Sequence, residues 1–419
     1  MTAAVFFVLL VGAVPVSFVL ILTAIWYIGA SGNTVLYQSF AQQLFAGIEN
    51  YGLLAIPLFI LTGELMNEGG ATRRLVDAAR VFAGGMRGGL AYINLLANMF
   101  MAAIIGSAAS QIAIMSRAMV PLMEAEGYRR DFAAATTAAG GILAPIIPPS
   151  MLLVIYGVLA QRSIADLFIA GILPGVILTL GFFSVVAVIG LFRELPKGDW
   201  MTRDQALRAL RNALPAAVIP VVIVGSILGG LATPTESAAV ASLAALVIGR
   251  FVYGELRLGQ LLAILPRVAL TSGMVLLLIA AANVFGWVII YEALPQKLTA
   301  MIASSTDSPL VFLLIVMGAL LVVGMVIDGI AALILLVPIL LPVATDVYGI
   351  DPIHFGVVIC LNLVLGLLTP PVGAGLYIAA AMGQTRPMAV FVQLIPFLTV
   401  ALVLLVLLCA FPVLTLVFL

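Results

Sequence analysis

The sequence predicts an all-α polytopic membrane protein, built as an inverted repeat with two re-entrant helical hairpins and two broken transmembrane helices. Three observations predict it. The 419 residues are 64% hydrophobic and only 9% charged, whereas a soluble domain carries about a quarter charged residues. Apolar runs of about 20 residues recur from end to end, the length of a bilayer-spanning helix and roughly twice that of a barrel strand. A Pro/Gly-interrupted apolar stretch occurs twice, as GGILAPIIPPSMLLVIY at 140–156 and GLLTPPVGAGLY at 366–377. Proline lacks a backbone donor and clashes with the preceding turn, so no continuous helix is expected through Pro145, Pro148 and Pro149.

The elements follow in order. Residues 4–28 form the first crossing; no basic segment precedes it and it is too long for a signal sequence, so a retained helix is expected. Residues 31–50, with Gln38, Gln42, Gln43 and Glu49, read as an interfacial segment, and 52–66 as a second crossing. In 68–89, Leu75, Ala78, Ala79 and Phe82 fall at helical spacing beside Arg73, Arg74 and Arg80, as in an amphipathic helix on the membrane surface. Residues 90–123 hold two apolar halves around GSAAS (106–110). One tilted crossing or a hairpin fits that length, and the hairpin sorts the charges better. A broken helix at 132–160 and a crossing at 167–192 follow, then a cationic loop at 193–211.

Residues 215–231 cross again. TPTES (233–237) caps the next helix, which runs to about residue 253, and Arg250, Arg257 and Arg267 share a loop. A crossing at 268–291 precedes a second surface helix at 294–305. The second hairpin is expected at 309–343 with its break in GMVIDG (324–329), the second broken helix at 354–382, and the last crossing at 388–419.

This topology collects fifteen of the 18 cationic residues on one side, leaving Arg162 and Lys297 opposite and Arg117 inside the first hairpin. The positive-inside rule makes the cationic side cytoplasmic, with the amino terminus inside and the carboxyl terminus outside. The order crossing, surface helix, hairpin, broken helix, crossing occurs twice, at 52–192 and 268–419, with residues 1–51 ahead and a two-helix linker at 193–267 between. The units start on opposite sides and are therefore inverted. Inverted repeats whose broken helices meet at mid-membrane describe a secondary transporter. The net charge of zero points to no nucleic-acid partner. Cys360 and Cys409 lie inside apolar segments, so neither a disulfide framework nor a metal site is expected. No nucleotide loop or nucleophile motif occurs, which argues against an enzyme. A channel or a structural membrane subunit remains compatible with this composition.

Candidate site residues fall at the tips and breaks: Ser107, Ser110 and Ser150 in the first pair, Asp328, Thr369 and the carbonyls around Gly324 and Gly366 in the second. Unwound carbonyls suit a hard cation such as Na⁺, and half-helix amino termini suit a carboxylate. The competing reading is that these glycines, serines and prolines only allow close packing and kinks. Asp328 stands alone in an apolar run, where it coordinates a cation or substrate or serves as a structural hydrogen-bonding group. Glu64, Glu236 and Glu292 lie near helix ends, where solvated or interfacial positions are expected. Snorkelling or pairing with a carboxylate is expected of Arg117 before contact with an anionic substrate. His354, beside Asp351 at an external loop, is not expected to relay protons.

The strings IPLFILTGELMNEGG (56–70), GSAAS, EGYRRDF, IPPS, FIAGILPG, LGGLATPTESAAV and GIDPIHFGVVICLNLVLGLLTPPVG (349–373) come in an order that resembles the large membrane subunit of tripartite ATP-independent periplasmic (TRAP) transporters. The likeness covers essentially the whole chain. It implies an elevator-type, sodium-driven importer of organic acids such as dicarboxylates or sugar acids in the bacterial inner membrane. The implied partners are a separate small four-helix membrane subunit and a periplasmic binding protein. It implies no cofactor beyond Na⁺ as coupling ion. One sodium site is implied at Gly106, Ser107, Ser110, Ile147, Pro149 and Ser150, with Pro148 in the break, and another at Gly324, Asp328, Gly366, Thr369 and Val372. Substrate contacts are implied at Ser107, Ser150, Asp328, Thr369 and Pro370. Ile105 and Gln111 depart from the family's usual residues beside GSAAS. The alternative is a stand-alone carboxylate transporter of the divalent anion/sodium symporter type.

Overall fold

The computed structural model describes residues 2–419 apart from positions 13, 34, 199 and 292–305. Among the described residues the ordered structure is helical, and the one β-type contact is an isolated bridge between Arg87 and Lys197. Among the described residues six helices are long and apolar enough to cross a membrane on their own.

The amino-terminal part consists of α1 (Thr2–Val11), α2 (Val16–Ser31), α3 (Leu36–Ala46), α4 (Ala55–Glu68) and α5 (Ala71–Ala83). The single crossing expected at 4–28 is interrupted, because Pro15 cannot continue the helix and instead caps α2. A 3-10 turn (Tyr51–Leu54) leads into α4, and α3 meets this segment at 50°. α5 is amphipathic as expected, with Leu75, Ala78 and Ala79 buried, but Phe82 is 58% exposed.

The first hairpin is α6 (Gly89–Ile105) and α7 (Ala108–Ala125); the first broken helix is α8 (Arg130–Gly141) and α9 (Met151–Leu159); α10 (Ile164–Phe192) follows. The arms of the hairpin run antiparallel, since Asn94 on α6 reaches the Met123 sulfur on α7 at 3.4 Å. Next come α11 (Arg203–Leu228), α12 (Pro234–Val247) and α13 (Leu258–Tyr291). Two expected loops are helix instead. A capping box between Thr202 and Gln205 starts α11 inside the cationic stretch, and α13 begins ahead of Arg267, whose guanidinium lies 2.9 Å from Glu68 and 3.6 Å from Glu64.

The second hairpin is α14 (Pro309–Gly324) and α15 (Gly329–Pro342), the second broken helix α16 (Pro352–Gly366) and α17 (Ala374–Met382), and the chain ends in α18 (Pro387–Ala410) and α19 (Val413–Leu416). The last crossing therefore stops at Phe411, before Pro412. The second surface helix expected at 294–305, with Glu292 and Lys297, lies outside the described residues.

The cationic loops meet at one face. Gly88 N–H donates to Pro196 O at 2.9 Å and the Tyr128 hydroxyl to the same oxygen at 3.3 Å. Glu255 lies 2.7 Å from Arg73 and 2.9 Å from Arg74, Arg130 reaches Gln384 at 3.3 Å, and Arg193 reaches Gln393 at 3.0 Å.

Candidate functional site

Both breaks are produced by proline and filled by a hairpin tip. In the first, three prolines in 145–149 remove three backbone donors, and α8 stops at Gly141. The tip of the first hairpin turns on Gly106, at φ +63, where glycine carries no steric cost. Its carbonyl accepts from the Met151 N–H at 3.3 Å, which closes tip against break. In the second pair, Met325 O accepts from the Gly373 N–H at 2.9 Å. The peptides Pro148–Pro149 and Pro370–Pro371 are both cis.

Four half-helices therefore begin at the site: α7 at Ser107, α9 at Ser150, α15 at Asp328 and α17 at Gly373. Four others end there. The beginnings carry positive dipole ends that attract an anion, and the endings carry carbonyls that attract a cation. The carbonyls of Ile147, Pro149, Thr369 and Val372 accept no backbone hydrogen bond among the described residues.

The side chains divide by role. Ser107 is the N-cap residue of α7 but makes no capping bond with its side chain. It lines a cavity of about 30 Å³ together with Gly106, Asp328 and Gly329, so the two tips share one space. A volume near 30 Å³ suits a water molecule or a small cation and excludes an organic acid. Asp328 caps α15, with Oδ2 accepting from Ile330 N–H at 3.0 Å. Ser150 is fully buried and committed: its hydroxyl donates to Pro145 O at 2.6 Å and accepts from Leu153 N–H at 3.2 Å. Thr369 donates back to Leu365 O at 2.8 Å.

Other expected site residues lie apart from this cavity. Ser110 is exposed on α7, and Val372 is 46% exposed. The Ile147 side chain packs under Gly175 of α10 and lines a separate apolar cavity. Among the described residues Arg117 has no carboxylate partner; its Nε donates to the Met382 sulfur at 3.2 Å. His354 Nδ1 lies 2.7 Å from the Thr415 hydroxyl and so ties α16 to α19. Glu236 is exposed as expected, in a capping box with Thr233.

A polar ladder behind the first tip escapes sequence reasoning. The Gln111 amide donates to Asn98 O at 2.8 Å, to Asn98 Oδ1 at 3.0 Å and to Gly140 O at 3.4 Å. Asn94 donates to the Thr137 hydroxyl at 2.7 Å. All four side chains are buried and lock both hairpin arms to α8. In the second half Asn362 plays a related part, donating to Met317 O on α14 at 2.9 Å. The available signal was amides inside apolar runs, which are costly unless partnered.

Comparisons with known proteins add to this geometry. The model of the DctM component of tripartite ATP-independent periplasmic transporters matches residues 3–414. The chain is 38% identical over 411 residues to the sialic acid TRAP transporter large permease protein SiaM of Vibrio cholerae, covering 97% of this chain and 95% of that one. It is 36% identical over 383 residues to the C4-dicarboxylate TRAP transporter large permease protein DctM of Pseudomonas aeruginosa, with 90% and 88% covered. It is 37% identical over 349 residues to the 2,3-diketo-L-gulonate TRAP transporter large permease protein YiaN of Escherichia coli, with 83% and 82% covered. Among solved structures, the YdaH transporter of Alcanivorax borkumensis shares the fold, with a TM-score of 0.56, 15% identity, and 91% of this chain and 88% of that chain covered.

Proposed function

Because the chain belongs to the DctM-component family of tripartite ATP-independent periplasmic transporters, we propose that it is the large permease of a sodium-driven importer of organic acids. Family membership makes it a membrane transport protein and not an enzyme. The observation that carries the finer reading is the single small cavity lined by both hairpin tips, with Ser107 on one and Asp328 on the other. Na⁺ prefers oxygen ligands, and the donors at the tips and breaks are oxygen: the Ser107 hydroxyl and the Asp328 carboxylate at this cavity, and outside it the carbonyls of Ile147, Pro149, Thr369 and Val372, which accept no backbone hydrogen bond among the described residues. Each tip with its break supplies one cation site. Cations bound there order the tips and neutralise the carbonyl ends, and the exposed half-helix amino termini then receive the substrate carboxylate.

In this reading the hairpins, the broken helices, α10 and α18 move as one body against α2–α4 and α11–α13 in an elevator motion. The face that gathers the cationic loops is cytoplasmic. A small membrane subunit and a periplasmic binding protein complete the transporter, and the binding protein delivers the acid. The relatives named for sialic acid, C4-dicarboxylates and diketogulonate support a carboxylate substrate.

The test is uptake of labelled organic acids into proteoliposomes holding this chain and its small subunit, with and without a cognate binding protein and an inward Na⁺ gradient. Dependence on both is expected. Uptake unchanged when choline replaces Na⁺ at fixed pH removes the sodium coupling. Uptake without a binding protein moves the chain to the stand-alone symporter type.

A further inference from the structure

The exposed face of α7 leads from the tip cavity to a second, larger space. Ser107, Ser110, Ile114 and Arg117 fall on one side of the helix by their spacing; Ser110 and Arg117 are exposed and Ile114 half-exposed. Ten residues of helix separate Ser107 from Arg117, about 15 Å along the axis. At the far end Arg117 enters a cleft of about 570 Å³ between α7 and α5, whose other wall carries Arg73, Asp77 and Arg80.

Charge in this cleft is incompletely matched. Arg73 is answered by Glu255, which also takes Arg74. Asp77 sits on a wall shared with a separate cleft toward Arg208. Among the described residues Arg80 Nε is buried without a hydrogen-bond partner, and the one hydrogen bond of Arg117 goes to the Met382 sulfur. Two guanidiniums with no ion-paired carboxylate among the described residues thus line opposite walls of a space large enough for an organic acid, at the face where the cationic loops meet. Guanidinium is the group that binds carboxylate and phosphate through paired donors.

We propose that this cleft is an anion-binding vestibule, in which Arg80 and Arg117 hold the carboxylate of the transported acid on its way between the tip cavity and the cationic side. The assignment of that carboxylate to a cargo rests on the transport reading above; the anion site itself does not. One wall is the hairpin and the other the surface helix, so the vestibule opens or narrows as the two slide past each other.

The two native cysteines of this chain are buried, so Ala118→Cys, on the α7 wall of the cleft, gives the chain one accessible thiol, and the complex with native Ala118 serves as the blank. Its modification is timed with an anionic and a cationic methanethiosulfonate, with disodium succinate as probe and sodium chloride of equal ionic strength as control. The anionic reagent is expected to react faster by on the order of tenfold, because Arg73, Arg80 and Arg117 leave the cleft with an excess of positive charge over Asp77 and Glu255. Succinate is expected to slow it. Arg80→Gln and Arg117→Gln each remove the succinate protection, and Arg117→Lys keeps the preference for the anionic reagent. Equal rates for the two reagents, or protection that survives both Gln variants, overturns the proposal. Vesicles of phosphatidylcholine with and without phosphatidylglycerol form a further arm. Protection by phosphatidylglycerol and none by succinate assigns the arginines to a lipid headgroup and also overturns it. Sodium-driven uptake on the same vesicles separates the two readings. Uptake without protection removes the vestibule alone, and protection without sodium-driven uptake keeps the anion site and removes the sodium mechanism.

Discussion

Gly324 and Gly366 meet backbone to backbone: a Cβ built on Gly366 would lie 2.5 Å from the Gly324 carbonyl carbon. The end of the second hairpin's first arm and the end of the first half of the second broken helix thus touch without side chains between them. Gly366→Ala must force them apart. Overpacking of a tight contact costs about 1–3 kcal/mol, so thermal unfolding in detergent is expected at a lower temperature than for the native protein. Because the shift displaces the carbonyls of the second tip, the sodium concentration for half-maximal uptake is expected to rise as well. A variant with native stability and native sodium dependence shows that the contact is not needed.

Asp328 and Ser150 are expected to separate by phenotype. The Ser150 hydroxyl is spent on Pro145 O and Leu153 N–H, so Ser150→Ala removes a helix cap, worth about 1 kcal/mol, and lowers stability with little change in apparent sodium affinity. Asp328 lines the shared cavity, and Asp328→Asn removes its charge while keeping an oxygen able to cap α15. Its expected effect falls on sodium dependence and not on stability. Titration of uptake against Na⁺ beside thermal unfolding distinguishes them, and the reverse pattern contradicts the assignment.

Gln111 holds three acceptors at once, on α6 and at the end of α8. Gln111→Leu keeps the volume and deletes the donors, leaving Asn98 Oδ1 in a buried site without them, while Gly140 O keeps the Leu143 N–H at 3.1 Å. A buried polar group stripped of its partner costs about 1–3 kcal/mol. Gln111→Glu is the sharper comparison, because a carboxylate offers no N–H to these oxygens and adds a buried charge. It is expected to be the less stable of the two in detergent at neutral pH.

What the sequence made legible and what it hid differ by physical cause. The breaks at Pro145–Pro149 and Thr369–Gly373 were readable because prolines clustered beside glycines remove several backbone donors within one turn. The hairpins were readable because only they put the arginines on one side. Proline misleads elsewhere: Pro15 interrupts the first crossing, while Pro215 and Pro220 sit inside α11. Nothing local distinguishes these cases, since the outcome depends on whether another element repairs the lost hydrogen bonds. The role of Ser150 was hidden for a related reason. A serine at a half-helix start reads equally as ligand and as cap, and only the positions of Pro145 O and Leu153 N–H decide. The cleft holding Arg80 and Arg117 joins residues from two elements whose packing no periodicity encodes.

Tyr253 is the repair for α11. Its hydroxyl accepts from Ala216 N–H at 3.1 Å and donates to Asn212 O at 2.9 Å, standing between a donor and acceptor that would bond each other in a continuous helix. Arg74 lies over the same ring, 3.7 Å from its centroid. Tyr253→Phe removes both hydrogen bonds and keeps the ring, so a loss of about 1–3 kcal/mol is expected, with the contact to Arg74 retained. Tyr253→Leu removes the ring as well and is expected to lose about 0.5–2 kcal/mol more, the worth of a cation over an aromatic face. The cycle with Arg74→Ala tells the two apart. Arg74→Ala is expected to cost less stability in the Tyr253→Leu background than in the native one, and the same in the Tyr253→Phe background as in the native one. Equal costs in all three backgrounds mean that Arg74 is held by Glu255 and the Gly70 carbonyl without the ring, and that the ring serves only α11.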